Sequence, residues 1–205
     1  MAATASLYDR CDGIVIDGVR WYTNTPGGGT VTESGGKIII TPTSNDPSYE
    51  LVGPNLSYDL TGSYVFVQIK QAANGNCPTM LCIPQSDYND ALVFYITATN
   101  LITASWGGGE RTSIARPSMP IWLGMREKNG ITYWDSSPDG ITWVNRDSVA
   151  NFTTITSVRP QMSVENYGAE AAPGAAWFAN FNVKPRLFGI SSNLRPRIFG
   201  PGLAR

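Results

Sequence analysis

The stretch Ile121–Val144, IWLGMREKNGITYWDSSPDGITWV, decides the fold. Ile121, Leu123 and Met125 alternate with Trp122, Gly124 and Arg126, the period of a strand whose two faces meet different surroundings. Asn129-Gly130 is a two-residue hairpin signal, because both residues tolerate the positive φ that such a turn needs. Ile131–Asp135 then reads as the returning strand, Asp139-Gly140 as a second turn and Ile141–Val144 as a third strand. The stretch is an antiparallel β meander, and it holds three of the six tryptophans.

The same pattern extends in both directions. Upstream, Gly13–Ile16, Arg20–Thr23, Thr30–Glu33, Lys37–Pro42, Tyr49–Val52, Ser63–Gln71, Thr79–Pro84, Ala91–Thr97 and Leu101–Trp106 read as strands. Pro26–Gly29, Ala72–Cys77, Gln85–Asp90 and Gly107–Arg116 read as turns or loops. Downstream, Val158–Glu165 and Ala175–Val183 close the series. No window holds a 3.6-residue apolar period for three turns, so helices are not expected. Turn signals every ~8–12 residues predict an all-β, antiparallel two-sheet sandwich. One domain is expected over 1–183, followed by an extended C-terminal arm over 184–205.

Charge is unevenly placed. Residues 1–183 hold ten Lys/Arg against sixteen Asp/Glu, whereas 184–205 hold five Lys/Arg and no acid. A mildly acidic body disfavours nucleic-acid binding through the body. No run approaches the ~18 apolar residues of a membrane span. The start, MAATASLYDR, has neither a basic beginning nor an apolar core, so the reading is of a chain made in a host cytoplasm without a signal peptide. Cys11, Cys77 and Cys82 are then expected as free thiols.

The order of features resembles the concanavalin A-like lectin/glucanase jelly roll, in its laminin-G-like forms. The residues that carry the resemblance are Asp12-Gly13, Ile16-Asp17 and Arg20-Trp21, then the GGKIII strand. Asp87–Asp90 leading into LVFYITATNLITASWGGG, and the meander itself, complete it. The resemblance covers roughly residues 8–183 and implies a two-sheet sandwich. It says little about activity, because one fold hosts many functions.

Chemistry narrows the choices. The chain has no histidine, which removes Ser-His-Asp and Cys-His nucleophile systems and His-based zinc sites. A glycosidase needs two carboxylates. Glucanases of the resembled fold carry a Glu-x-Asp-x-x-Glu-like strand, and this chain has no Glu followed two residues later by Asp and no two Glu within four residues. A pair assembled from distant strands, such as Glu50 with Glu110, is left open. The expectation is therefore no enzymatic activity.

Ser137-Pro138-Asp139-Gly140-Ile141-Thr142-Trp143 approaches the sialidase Asp-box but is one residue short between Asp and Thr. It is read as a β-turn whose carboxylate accepts backbone N–H groups while Trp143 packs on the hairpin. Laminin-G-like domains often hold calcium at the rim, and Asp87, Asn89 and Asp90 are hard oxygen ligands before a strand; such residues are more often turn formers, so no cofactor is expected, with Ca2+ left open by the resemblance. Trp106, beside Glu110 and Arg111, is the candidate for stacking on a glycan.

After Val183 the alternation stops. Pro185–Gly189 (PRLFG) and Pro196–Gly200 (PRIFG) form an eleven-residue repeat, with Pro and Gly against helix and Phe against a purely solvated end. Arg186, Phe188, Arg197 and Phe199 are the candidate docking residues. Such an arm resembles those of virion proteins. The sequence reading is thus a non-enzymatic phage virion component (capsid decoration, head fibre or tail) located in the virion. It is expected to be homo-oligomeric on the particle, held to other virion subunits by its arm, with a host glycan as a further partner. The alternatives are a stand-alone lectin-like protein and a divergent glycoside hydrolase.

Overall fold

The structure is a computed structural model that describes residues 1–44, 48–85, 90–105, 108–168 and 170–185. The arm beyond Pro185 lies outside the described residues. The strands are β1 (Trp21–Asn24), β2 (Thr30–Glu33), β3 (Ile38–Thr41), β4 (Ser48–Pro54), β5 (Tyr64–Gln71), β6 (Thr79–Pro84) and β7 (Ala91–Ile96). They continue with β8 (Asn100–Ser105), β9 (Gly109–Ala115), β10 (Ile121–Lys128), β11 (Ile131–Ser137), β12 (Val144–Ala150), β13 (Gln161–Asn166) and β14 (Ala176–Ala179). A single 3-10 turn, Thr4–Ser6, precedes them.

Two seven-stranded antiparallel sheets stack face to face. The first runs β1-β4-β13-β6-β7-β8-β9 and the second β12-β11-β10-β5-β14-β3-β2. The fold is therefore the predicted all-β sandwich of concanavalin A-like type. Val65, Val67 and Ile69 of β5 and Leu123 and Met125 of β10 point inward, and meet Leu81, Leu92, Phe94 and Met162 of the first sheet in one core. Trp134 of β11 crosses the interface, its indole N–H donating to the Val93 carbonyl at 3.0 Å.

The meander forms as read. Met125 pairs with Trp134 across the hairpin, and Asn129 and Gly130 take φ of 55° and 80°, the left-handed pair that matches strand twist. The third strand begins later than expected, at Val144, because Ile141 and Thr142 are used in the preceding turn. There Asp139 Oδ1 accepts the N–H groups of Ile141 (2.8 Å) and Thr142 (2.7 Å). Trp143 packs on Phe66 with ring centres 5.6 Å apart.

Two further strand assignments differ. Gly13–Ile16 is no strand: Ile14 is 92% exposed, and the Gly13 N–H goes to the Glu33 carboxylate at 2.7 Å. Conversely, Gly107–Arg116, expected as a loop, contains β9. Like β12, β9 is an edge strand, and edges tolerate charge and glycine because one side needs no partner.

Candidate functional site

The outer face of the first sheet is built from alternate residues of its strands. β13 presents Gln161, Ser163 and Glu165, since Met162 and Val164 point into the core. β6 presents Met80 and Cys82, β7 presents Val93 and Tyr95, and these pack with Ala104 of β8 as a second, smaller cluster. An open flat face would leave such residues half in water. Instead Met80, Cys82, Val93, Gln161 and Ser163 are each buried, so this face is recessed.

Over its β1 side lies a cavity of about 530 Å³ lined by Tyr22, Asn24, Tyr49, Leu51, Gln161, Glu165 and Tyr167 among others. Gln161 donates to the Tyr22 hydroxyl at 2.8 Å, which orients both. Gly53 lies against this pair: a Cβ there would lie 2.9 Å from the Gln161 side chain. Concave sites lined by aromatic rings with a few fixed polar groups are the usual form of a ligand site.

Two carboxylates belong to this face. Burial pushes the Glu165 carboxyl above its ordinary value, partly offset by a hydrogen bond from the Tyr167 side chain. On β9, Glu110 Oε1 accepts the Tyr95 hydroxyl at 2.6 Å. Burial, that hydrogen bond and then the charges of Glu110 and Glu165 all push the Tyr95 phenol upward. Tyr95 therefore stays a protonated donor to Glu110. Burial thus biases Glu165 toward its protonated form, the bias that a general acid needs, while Glu110 is held in place by Tyr95.

The sequence-predicted residues fare unevenly. Glu110 does reach this face, but Arg111, its neighbour on the strand, points the other way, pairing with Asp147 of β12 at 2.8 Å. Trp106 lies outside the described residues. Glu50 is fully buried on the opposite face of β4, accepting from Ser48 Oγ at 3.0 Å and from the Gly29 N–H at 3.0 Å. It therefore cannot pair with Glu110 in a cleft. Of the calcium candidates, Asp87 and Asn89 lie outside the described residues, while Asp90 accepts the Ala91 N–H at 2.7 Å. Among the described residues, no group of three or more His, Cys, Asp or Glu is placed to hold a metal ion. Arg186, Phe188, Arg197 and Phe199 lie outside the described residues.

The cysteines are free and buried. Burial pushes the thiols of Cys11 and Cys77 up to about 12 and about 11, so neither is a thiolate nucleophile at neutral pH. Sequence reading missed Glu165, Tyr95, Tyr167 and Gln161. The alternation of β13 places Gln161 and Glu165 on one face, but nothing local says which face is recessed.

No protein-family model matches the sequence, and no curated protein matches it. Solved structures do. A non-specific endo-β-1,3(4)-glucanase, SCLam of family GH16, aligns with TM-score 0.64 at 10% identity, over 85% of this chain and 87% of that one. The laminarinase of Flavobacterium sp. UMI-01 aligns with TM-score 0.65 at 8% identity, over 85% and 96%. The carbohydrate recognition domain of Emp47p aligns with TM-score 0.58 at 10% identity, over 84% and 91%. At these identities the likeness is one of fold. It nevertheless corrects two expectations. The non-enzymatic virion component gives way to the alternatives, because the similar architectures are glycoside hydrolases and a carbohydrate recognition domain. The exclusion of catalysis rested on the lack of a local carboxylate motif, whereas the fold brings Glu165 and Glu110 to one face from strands far apart in sequence.

Proposed function

We propose that this chain is a carbohydrate-active protein that takes a glycan along the outer face of its first sheet. The observation that carries this is the recessed cavity of about 530 Å³, in which Tyr22, Tyr49 and Tyr167 surround Asn24, Gln161 and Glu165. Sugar rings present apolar C–H faces to aromatic side chains and hydroxyls to amides and carboxylates, so this mixture suits them. The similar architectures of a laminarinase and a mucin-acting O-glycanase make β-1,3-glucan and mucin glycans the first probes. Affinity electrophoresis in laminarin or mucin gels should retard the protein, and Tyr49→Ala should restore free migration. Unretarded wild-type protein on all glycans tried would overturn the proposal.

A second reading, hydrolysis of the bound glycan, is favoured by the half-buried Glu165 in the lining of the cavity, whose carboxyl burial pushes upward. Glu165 would serve as the proton donor to the leaving oxygen. Release of reducing ends should fall at least about a hundredfold in Glu165→Gln, the range that general acids contribute, while glycan retention persists. Binding without turnover in wild type would leave the lectin-like reading standing alone.

A further inference from the structure

The outer face of the second sheet carries a different feature. Tyr64 and Phe66 of β5 stack with ring centres 5.6 Å apart, and Phe66 also meets Trp122 and Trp143 at 5.9 and 5.6 Å. Gly124 keeps the floor open, since a Cβ there would lie 2.9 Å from the Trp143 ring. The result is a largely apolar groove of about 260 Å³, lined by Tyr64, Phe66, Gly124, Arg126, Trp143 and Lys184 among others.

The described chain ends on this groove. Lys184 Nζ sits 5.9 Å from the centre of the Tyr64 ring. Pro185 lies against the Asp139-Gly140 turn, its Cγ 2.6 Å from where a Cβ on Gly140 would be. The next residues are Arg186, Leu187 and Phe188. Three residues of chain reach at most about 11 Å, so the sequence allows Phe188 no more than that distance from Pro185. Asp139, which shares a neighbouring cavity with Pro185, offers a carboxylate next to the start of Arg186.

We propose that the groove is filled by this chain's own first PRLFG unit, with Phe188 seated among Tyr64, Phe66 and Trp143 and Arg186 beside Asp139. The short tether gives that unit a high effective concentration at its own groove. The second unit, Pro196–Gly200, begins eleven residues later and has no such confinement. This docking lies on the opposite sheet from the proposed glycan site and is independent of it.

The test uses the full-length chain with Tyr64→Cys and Phe188→Cys together, oxidised at low protein concentration. A monomeric disulfide joining residues 64 and 188, read by non-reducing gel and peptide mass, is expected to form at least tenfold faster than one in the Tyr64→Cys, Phe199→Cys control. Because Tyr64→Cys alters the groove, acrylamide quenching of tryptophan fluorescence gives a second readout in the otherwise intact protein. Phe188→Ala should raise quenching while Phe199→Ala leaves it unchanged. Covalent dimers in place of the internal bridge would assign the groove to a second copy and overturn the proposal. Equal crosslinking of 188 and 199, or quenching unmoved by Phe188→Ala, would overturn it as well.

Discussion

The hydroxyl of Tyr95 donates to Glu110 Oε1 at 2.6 Å, linking β7 to β9 across the intervening β8. It fixes one carboxylate on the outer face of the first sheet, on the side away from Tyr22 and Tyr49. Tyr95→Phe should leave the fold intact and lower stability by about 1 kcal/mol, the net value of such a bond. Glu110 would then be free to rotate, so laminarin or mucin retention should weaken if the glycan runs as far as β9. Urea unfolding and affinity electrophoresis on the same variant read the two effects separately.

Glu50 is predicted to limit stability near neutral pH. Burial raises its carboxyl above the ordinary range, with the bonds from Ser48 and Gly29 acting the other way. A carboxyl whose folded-state value is raised binds its proton more tightly in the native protein. Its contribution to stability is thus complete below the ordinary glutamate value and is lost as pH rises through the raised one. Glu50→Gln keeps an acceptor for the Gly29 N–H and carries no charge. It should match or exceed wild type in melting temperature at pH 7 and fall behind at pH 4. A variant less stable than wild type at both pH values would contradict this.

Asp139 has the opposite sign. The N–H groups of Thr142 and Ile141, then the Ser137 hydroxyl, hold its carboxyl down at about 2. Its contribution is present above the ordinary aspartate value and is lost as pH falls toward 2. Asp139→Ala should lower the melting temperature at pH 6, and the gap from wild type should close between about pH 4 and pH 2. A gap that stayed constant over that window would show that the carboxylate's charge is irrelevant to the turn.

Asn182 is predicted to be the most costly polar residue to remove. Its side chain accepts the Phe66 N–H at 2.7 Å and donates to the Thr4 and Leu7 carbonyls at 2.9 and 2.7 Å. It therefore ties the N-terminal segment and the last described residues to β5. Its backbone also sits at φ 52°, where Asn is tolerated better than Ala. Asn182→Ala takes the partner from the Phe66 N–H and the Leu7 carbonyl, while the Thr4 carbonyl keeps the Leu7 N–H at 3.1 Å, and should cost about 2 kcal/mol or more in urea unfolding. A loss under about 1 kcal/mol would mean that water replaces the amide.

The sequence by itself determined the class of the fold. Period-2 alternation in Tyr64–Gln71 and Ile121–Lys128 needs a half-buried strand, and Asn129-Gly130 and Asp139-Gly140 are turns whose chemistry is local. The missed elements follow the same logic. Apolar Ile14 and Val15 look like strand residues until no neighbour pairs with them, while β9 and β12 carry charge, and β9 a glycine, because they are edges. Neither fact is written in the segment itself.

The candidate site was decided by tertiary structure alone. Glu165, Tyr95 and Glu110 come from β13, β7 and β9, and strand order puts all three in one sheet, where their alternation gives them the same face. Alternation tells that Glu165 shares a face with Gln161 and Ser163. Only the assembled sheet makes that face the recessed one, half-burying Glu165 and raising its carboxyl. The same packing sends Glu50, an equally plausible acid in the sequence, into the interior, because its place in the alternation of β4 puts it on the core side with Val52.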